Sequence, residues 1–196
     1  MAHSEDEKMC ATQRNYEKWI WVELVGFDNT KDDPGVSAYL DVLGFEPNAI
    51  CLFVSSPDFI LLHPHPGTGD TLPVDCCAYA VHSFNPERTL QTWTQEQVRM
   101  LIDELHRHGV EVYVSVMTWF THNRFHDEWI DKHREVIAWE NVGPEPSNNL
   151  NPLKRLKDGS YFEDFFLNQL RQVIRYYGFD GWHAADGWGP AMNNIY

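Results

Sequence analysis

The sequence is poor in basic residues and has no long apolar run. Its 15 lysines and arginines are outnumbered by 29 aspartates and glutamates, which gives a formal net charge of −14. Phosphate binding needs a basic face, so this balance argues against a nucleic-acid partner. No segment approaches the roughly 20 apolar residues of a membrane-spanning helix, and the acidic, polar N-terminus lacks the apolar core of a secretion signal. We therefore expect a cytoplasmic protein with no membrane association.

Cysteine is also scarce. The chain has four cysteines, and none of them shows the C-x-x-C spacing of a metal site: Cys10, Cys51, Cys76 and Cys77. We interpret them as small buried hydrophobic residues, with a disulfide or a reactive thiol as the alternative. We expect neither a metal nor another cofactor.

The content of apolar and aromatic residues indicates a globular protein. Of the 196 residues, 43% are apolar and 14% are aromatic, which is enough to build a hydrophobic core. We expect a flexible tail over residues 1–17 and one domain over residues 18–196, with a long loop at 120–159.

The clearest local signal is a capped helix that runs into an apolar strand. Thr94-x-x-Gln97 forms a capping box, in which Thr94 accepts from a first-turn amide and Gln97 reaches back. Gly109 ends the helix, and residues 110–119 are predicted to form a strand. One apolar helix face follows the cap: Val98, Leu101, Ile102 and Leu105.

The same order recurs near the end of the chain. Ser160-x-x-Glu163 is predicted to form the capping box, Gly178 ends the helix, and residues 179–186 form the strand. Two helix–glycine–strand units in succession are typical of βαβ units, whose strands run parallel. The sequence therefore predicts an α/β fold.

Other segments complete the expected order of elements. The predicted elements are a buried strand at 19–27, a helix from about 33 to 43, a strand at 50–55, one arm of a hairpin at 59–62, a strand at 76–84 and a helix at 127–139.

Two phrases of this sequence resemble the (β/α)8-barrel glycoside hydrolases. Residues 101–113 (LIDELHRHGVEVY) look like the helix that leads into the third strand of those barrels, and residues 177–182 (YGFDGW) look like the entry into the fourth. The likeness covers residues 90–190 and extends to the α-amylase, α-galactosidase and dextranase-like families. It implies a partial TIM-like barrel of about four βα units with parallel strands, equivalent to the N-terminal half of those enzymes.

The resemblance also implies an active site at the carboxyl ends of the strands. In those families the fourth strand ends in the catalytic nucleophile, and the candidate is Asp186, although the family spacing would put the acid at Ala185. A bulge eased by Gly187 would restore its aim, and a turn-capping role is the alternative for Asp186. The implied activity is carboxylate-based cleavage of a glycosidic bond in a carbohydrate substrate.

Other candidate residues lie near predicted strand ends. Asp28 is the candidate partner acid and His183 a candidate assistant. A set of aromatic and polar side chains forms the candidate substrate wall: Trp119, Trp188, His122, Asn123, Arg124 and His82. Structural roles are predicted for another set: pairing or capping for Asp180, core packing for Trp182, and a buried network for Glu23.

Three alternatives stay open. The chain is a non-catalytic carbohydrate-binding half barrel, or it is a fragment of a longer enzyme. The open edges of two half barrels would pair in a homodimer. A metal-dependent, amidohydrolase-like hydrolase would use His63 and His65. Its further ligands would be His82, His183 and Asp186.

Overall fold

Four parallel strands form one sheet in the order in which they occur along the chain. The computed structural model describes residues 17–54, 58–63, 71–72, 91–117, 129–137 and 150–185. The strands are β1 (Trp19–Glu23), β2 (Ala49–Phe53), β3 (Glu111–Met117) and β4 (Gly181–Ala185). Each strand pairs with its sequence neighbour after a helical connection, which is the order of a partial (β/α) barrel. This confirms the predicted α/β class and the parallel βα units.

The helices pack on one side of this sheet. They are α1 (Val36–Leu43), α2 (Asp58–Leu61), α3 (Gln95–Arg107) and α4 (Phe162–Tyr177), with 3-10 turns at Leu24–Gly26 and Arg134–Val136. Within the described ranges, no helix is long and apolar enough to cross a membrane.

The hydrophobic core lies between the sheet and these helices. Fully burying one large aliphatic or aromatic side chain contributes about 1.5–3 kcal/mol, so this layer carries most of the stability. The strands supply every second residue to it: Val22, Ile50, Leu52, Val112, Val114 and Val116. The helices supply Val36, Leu40, Val98, Leu101, Leu105, Phe166, Leu170 and Val173.

The first strand is shorter and more exposed than predicted. β1 ends at Glu23, because the chain turns into the 3-10 segment Leu24–Gly26 rather than continuing to residue 27. The turn brings Gly26 so close to Val22 that an added Cβ would lie 2.8 Å from a Val22 methyl carbon, so any side chain at this position would displace Val22. Trp19 and Trp21 are 44% and 46% exposed, which contradicts the expectation of a buried strand.

The predicted hairpin arm at 59–62 is instead the short helix α2. Carbonyl groups at the end of α2 and just beyond it accept hydrogen bonds from the side-chain amide of Gln169. The amide nitrogen lies 3.4 Å from the Leu61 oxygen and 2.5 Å from the His63 oxygen. A side chain 106 residues away in sequence thus satisfies the helix end, and no local pattern reveals such a partner.

The two predicted capping boxes have different outcomes. The Thr94–Gln97 box is present, with both reciprocal hydrogen bonds. The Ser160 box is wrong, because the Ser160 hydroxyl donates to Asp158 and α4 begins only after Tyr161. Two backbone carbonyls accept from the first amides of α4 instead: those of Lys154 and Pro152.

The helix predicted at 127–139 ends early. Residues 129–132 are helical, and a 3-10 turn follows, after which Ile137 pairs antiparallel with Leu150. The Lys154 ammonium donates to the Ile137 carbonyl over 2.7 Å and holds the chain in this extended path. The predicted strand at 76–84 lies outside the described residues, and so do residues 1–16 of the predicted tail.

Candidate functional site

One face of the sheet is directed away from the helices. Successive strand residues point to opposite faces, so the residues between the core positions share this second face. We call it the open face, and it carries Trp19, Trp21, Glu23, Cys51, Phe53, Glu111, Tyr113, Ser115 and His183. It combines aromatic rings with carboxylate, hydroxyl, thiol and imidazole groups.

A cleft of about 310 Å³ opens on this face. Its walls come from three strands: Trp19, Ile20 and Trp21 of β1, Cys51 of β2, and His183 of β4. The volume is at the lower end of the range of small-molecule sites, and partly exposed indole rings next to a polar imidazole suit an amphipathic ligand.

Trp19 joins the strands across the cleft. Its ring centroid lies 5.2 Å from that of Tyr113 on β3 and 5.9 Å from that of His183 on β4. Its indole N–H donates to the Cys51 sulfur over 2.6 Å. Side chains from opposite edges of the sheet therefore meet, so the open face is concave, as in the interior of a barrel.

His183 lies in the middle of this face and is half-buried, whereas the sequence predicted a buried residue. Its Nδ1 lies 3.3 Å from the hydroxyl oxygen of Ser115, which is fully buried beside it on β3. The hydroxyl orients the imidazole in the wall of the cleft. The structure thus places the predicted assistant where it can contact a ligand.

Tyr113 lies beside Trp19 on the open face, and Gly181 makes room for its ring. A Cβ at position 181 would lie 2.8 Å from Cε1 of the Tyr113 ring, so the ring lies directly over the glycine. The Tyr113 hydroxyl donates to the Glu111 carboxylate over 2.8 Å. The ring is fixed from both ends.

Cys51 is confirmed as a buried hydrophobic residue. It is a free cysteine with 2% exposure, and burial raises the pKa of its thiol. The thiolate is the reactive form, so this thiol is unreactive despite its place at the cleft. The other cysteines lie outside the described residues.

Asp28 does not lie at the end of β1. It follows the last strand residue by five positions (28 minus 23), in the loop after the 3-10 turn. Its carboxylate accepts from the amide and hydroxyl of Thr30, at 3.1 and 2.6 Å, as in an Asx turn. Asp28 thus lies beyond the strand, which ends at Glu23, and its role as partner acid stays a prediction.

Asn29 lies in the loop after β1, and the sequence did not single it out. Its carbonyl oxygen accepts from the Gln91 amide over 2.6 Å, and its own amide nitrogen lies 3.3 Å from the Gln97 oxygen in the capping box of α3. It also donates to the carbonyl of Thr92. This asparagine joins the loop after β1 to the start of α3. The only signal for this role in the sequence is that asparagine is a turn-forming residue type.

The structural roles predicted for Asp180 and Trp182 are confirmed. The Asp180 carboxylate accepts from the Val112 amide and faces the His106 imidazole, both at 2.8 Å, and so joins β4, β3 and α3. Trp182 packs on the helix side, with its ring centroid 6.2 Å from that of Phe166.

His63 lies on the helix side of the sheet, under α4. It is 7% exposed, and its ring centroid lies 5.2 Å from that of Tyr176 and 6.0 Å from that of Tyr177. His183 faces the open side, so the sheet separates the two histidines and they do not form one metal site. In the part of the chain that the structure describes, no three histidine, cysteine, aspartate or glutamate side chains are grouped to hold a metal ion.

Burial makes His63 a source of acid sensitivity. Burial lowers the pKa of its imidazole, so the folded protein binds this proton less readily than the unfolded chain, where the pKa is about 6.5. The stability contributed by neutral His63 is therefore present above pH ~6.5 and is lost as the pH falls towards the folded-state value, by at most about 1.4 kcal/mol per pH unit. We expect His63→Phe to flatten this part of the pH dependence of the unfolding free energy, measured by urea denaturation. Parallel profiles for the two proteins would contradict the prediction.

The remaining candidates lie outside the described residues. They are Asp186, Trp119, Trp188, His122, Asn123, Arg124, His82 and His65. The β3–β4 register is continuous through Met117 and Ala185, so β4 contains no bulge up to the residue before Asp186. Asp186 and Gly187, where a bulge eased by Gly187 would lie, are outside the described residues, so that bulge stays a prediction.

No family model matches the chain, and no curated protein matches it. Among solved structures it is similar to a noncanonic maltogenic alpha-amylase from Thermotoga neapolitana, with a TM-score of 0.47 and 14% identity over 88% of this chain and 39% of that one. The chain thus spans less than half the length of that amylase. The assignment of a partial barrel rests on the strand order and the concave face.

Proposed function

We propose that this chain binds carbohydrate at the open face and belongs to a barrel-type glycoside hydrolase. The observation that carries the proposal is the cleft of about 310 Å³ walled by two partly exposed tryptophans and an imidazole. Sugar rings present C–H edges that pack on flat aromatic surfaces, and their hydroxyl groups bond to polar side chains. The cleft offers both kinds of contact within one concave surface.

The proposed reaction is cleavage of a glycosidic bond with Asp186 as nucleophile or base. Such cleavage needs two carboxyl groups, about 5–5.5 Å apart for retention of configuration and further apart for inversion. Asp186 follows β4 directly, and His183 lies three positions before it. In this proposal, further substrate contacts come from Trp119, Trp188, His122, Asn123, Arg124 and His82.

The test is hydrolysis of a panel of 4-nitrophenyl glycosides that covers α and β linkages of glucose, galactose and mannose. We expect the purified chain to release nitrophenol from at least one member, with saturation and with inhibition by the matching free oligosaccharide. If the chain released no nitrophenol and bound no sugar, the proposal would be contradicted.

A second candidate is a carbohydrate-binding half barrel without catalytic activity. The exposure of Trp19 and Trp21 favours it, since two indoles two residues apart on one strand form a flat binding surface without any need for a carboxylate. Binding of an oligosaccharide without cleavage of any glycoside distinguishes it from the hydrolase. A dimeric mass in solution would support closure of the barrel by a second copy.

A further inference from the structure

The contact between Ser115 and His183 fixes more than the orientation of the imidazole. The two residues are register partners on β3 and β4, and the Ser115 hydroxyl oxygen lies 3.3 Å from Nδ1 of His183. A serine hydroxyl can donate or accept, and a neutral imidazole has one N–H donor and one acceptor nitrogen. Which ring nitrogen of His183 carries the hydrogen therefore depends on the direction of this one hydrogen bond.

The burial of Ser115 decides that direction. Ser115 is fully buried, and within the described ranges its hydroxyl has no hydrogen-bond partner other than Nδ1 of His183. If the hydroxyl accepted from an Nδ1–H, its own hydrogen would stay buried without an acceptor, which carries the full cost of desolvation. The hydroxyl therefore donates to Nδ1, and the hydrogen of the neutral ring is on Nε2.

The Nε2 edge of the imidazole is the edge that a ligand can reach. His183 is half-buried and lines the cleft, whereas Ser115, which contacts Nδ1, is fully buried. Among the described residues, no other group forms a hydrogen bond with the His183 ring. An Nε2–H at this position is thus a donor available to a molecule bound in the cleft.

The other polar groups of the cleft wall indicate what such a molecule must offer. The Trp19 indole N–H donates to the Cys51 sulfur, so the face of the Trp19 ring is what remains for a ligand. Trp21, which is partly exposed, adds a second indole N–H to the wall. With an Nε2–H on His183, the wall combines donors with flat aromatic rings. A sugar whose C–H edges pack on an indole, and whose oxygen accepts a hydrogen bond, is complementary to it.

We propose that Ser115 is a positioning residue that holds His183 as the Nε2–H tautomer, so that the imidazole donates a hydrogen bond to an acceptor oxygen of the bound carbohydrate. The role of the carbohydrate rests on the proposed function, whereas the tautomer is a property of the protein without ligand. Because the Ser115 hydrogen bond forms before the sugar binds, the donor is already oriented and binding costs less side-chain freedom.

The tautomer is tested by a ¹H–¹⁵N spectrum of the histidine rings of the full chain, in mildly alkaline buffer in which ordinary histidines are neutral. His183→Gln assigns the His183 signals. We expect a protonated Nε2 and an Nδ1 signal shifted by its hydrogen bond. Ser115→Ala should abolish that shift, and the control Ser37→Ala, which changes an exposed serine of α1, should keep it. A protonated Nδ1 in the wild type, or an Nδ1 signal that S115A leaves unmoved, overturns the assignment.

The donor role is tested by carbohydrate binding, followed by calorimetry. The probe is whichever 4-nitrophenyl α- or β-glycoside of glucose, galactose or mannose binds the wild type most tightly. The amide nitrogen of glutamine can take the place of Nε2, and that of asparagine the place of Nδ1, so H183Q and H183N separate the two ring positions. We expect Kd to rise by less than about threefold in H183Q and by about tenfold or more in H183N. In S115A it should rise by about three- to tenfold, as for loss of one hydrogen bond.

The outcomes distinguish this assignment from the proposed function. Equal losses of affinity in H183Q and H183N, or wild-type affinity in S115A, overturn the donor role and leave carbohydrate binding standing. A wild type that binds none of these glycosides contradicts the proposed function and the donor role with it, while the spectra still decide the tautomer. If S115A does not melt cooperatively, Ser115→Thr, which keeps the hydroxyl, should retain the wild-type Nδ1 signal, and a changed signal overturns the assignment.

Discussion

Replacing Asp186 with asparagine is expected to lower the rate of glycoside hydrolysis by about a thousandfold or more, as loss of a nucleophile does in other covalent mechanisms. Asparagine has nearly the same shape but cannot form the bond to the sugar carbon. Binding of the substrate should change little, because the shape of the site is kept. The measurement is single-turnover kinetics on an activated glycoside, beside oligosaccharide binding by calorimetry.

Asp41→Asn is the control for Asp186→Asn, since Asp41 is an exposed residue of α1. It should retain the wild-type rate. Added azide should restore part of the activity of an Asp186→Ala variant and yield a glycosyl azide, because alanine leaves space in which the small anion replaces the missing nucleophile. A D186N protein with the wild-type rate would rule out Asp186 as the nucleophile and leave its alternative role as a turn cap.

Replacing Gly35 with alanine is expected to destabilise the protein by about 2–5 kcal/mol. Gly35 has φ +80°, and an added Cβ would lie 2.9 Å from the backbone nitrogen of Asp28 and 3.0 Å from its Cβ. The left-handed conformation costs a residue with a side chain about 1–2 kcal/mol, and a clash with backbone adds about 1–3 kcal/mol. Equilibrium denaturation in urea gives the unfolding free energy.

Gly44→Ala is the matched control. Gly44 also has a positive φ, +73°, but no atom lies within 4 Å of its added Cβ. It should cost only the conformational term, about 1–2 kcal/mol. Equal losses of unfolding free energy in the two variants would show that the loop around Asp28 moves to accommodate the extra carbon. The prediction that Gly35 packs tightly on Asp28 would then be wrong.

The fold was largely predictable because its signals are local. The capping box at Thr94 forms as predicted, and Gly178 ends α4 as predicted. The box at Ser160 has the same pattern but fails, because Asp158 accepts the Ser160 hydroxyl hydrogen before it can cap the helix. Two local preferences competed there, and the pattern alone does not rank them.

The candidate site was less predictable because it depends on where strands end. The sequence shows an apolar run from residue 19 to 27, and only the 3-10 turn reveals that β1 stops at Glu23. That difference moves the strand-end carboxylate from Asp28 to Glu23. The meeting of Trp19 with His183 likewise follows from the curvature of the sheet, which no spacing in the sequence encodes.

The most direct test of the account is a ¹H–¹⁵N spectrum of the tryptophan indole groups during titration with oligosaccharides that match the cleaved or bound glycoside. The chain has 8 tryptophans, and Trp→Phe variants assign the signals of Trp19 and Trp21. We expect both signals to shift and saturate together, while that of Trp93, fully buried in the core, stays in place. Binding that leaves the Trp19 and Trp21 signals unmoved would contradict the open face as the carbohydrate site.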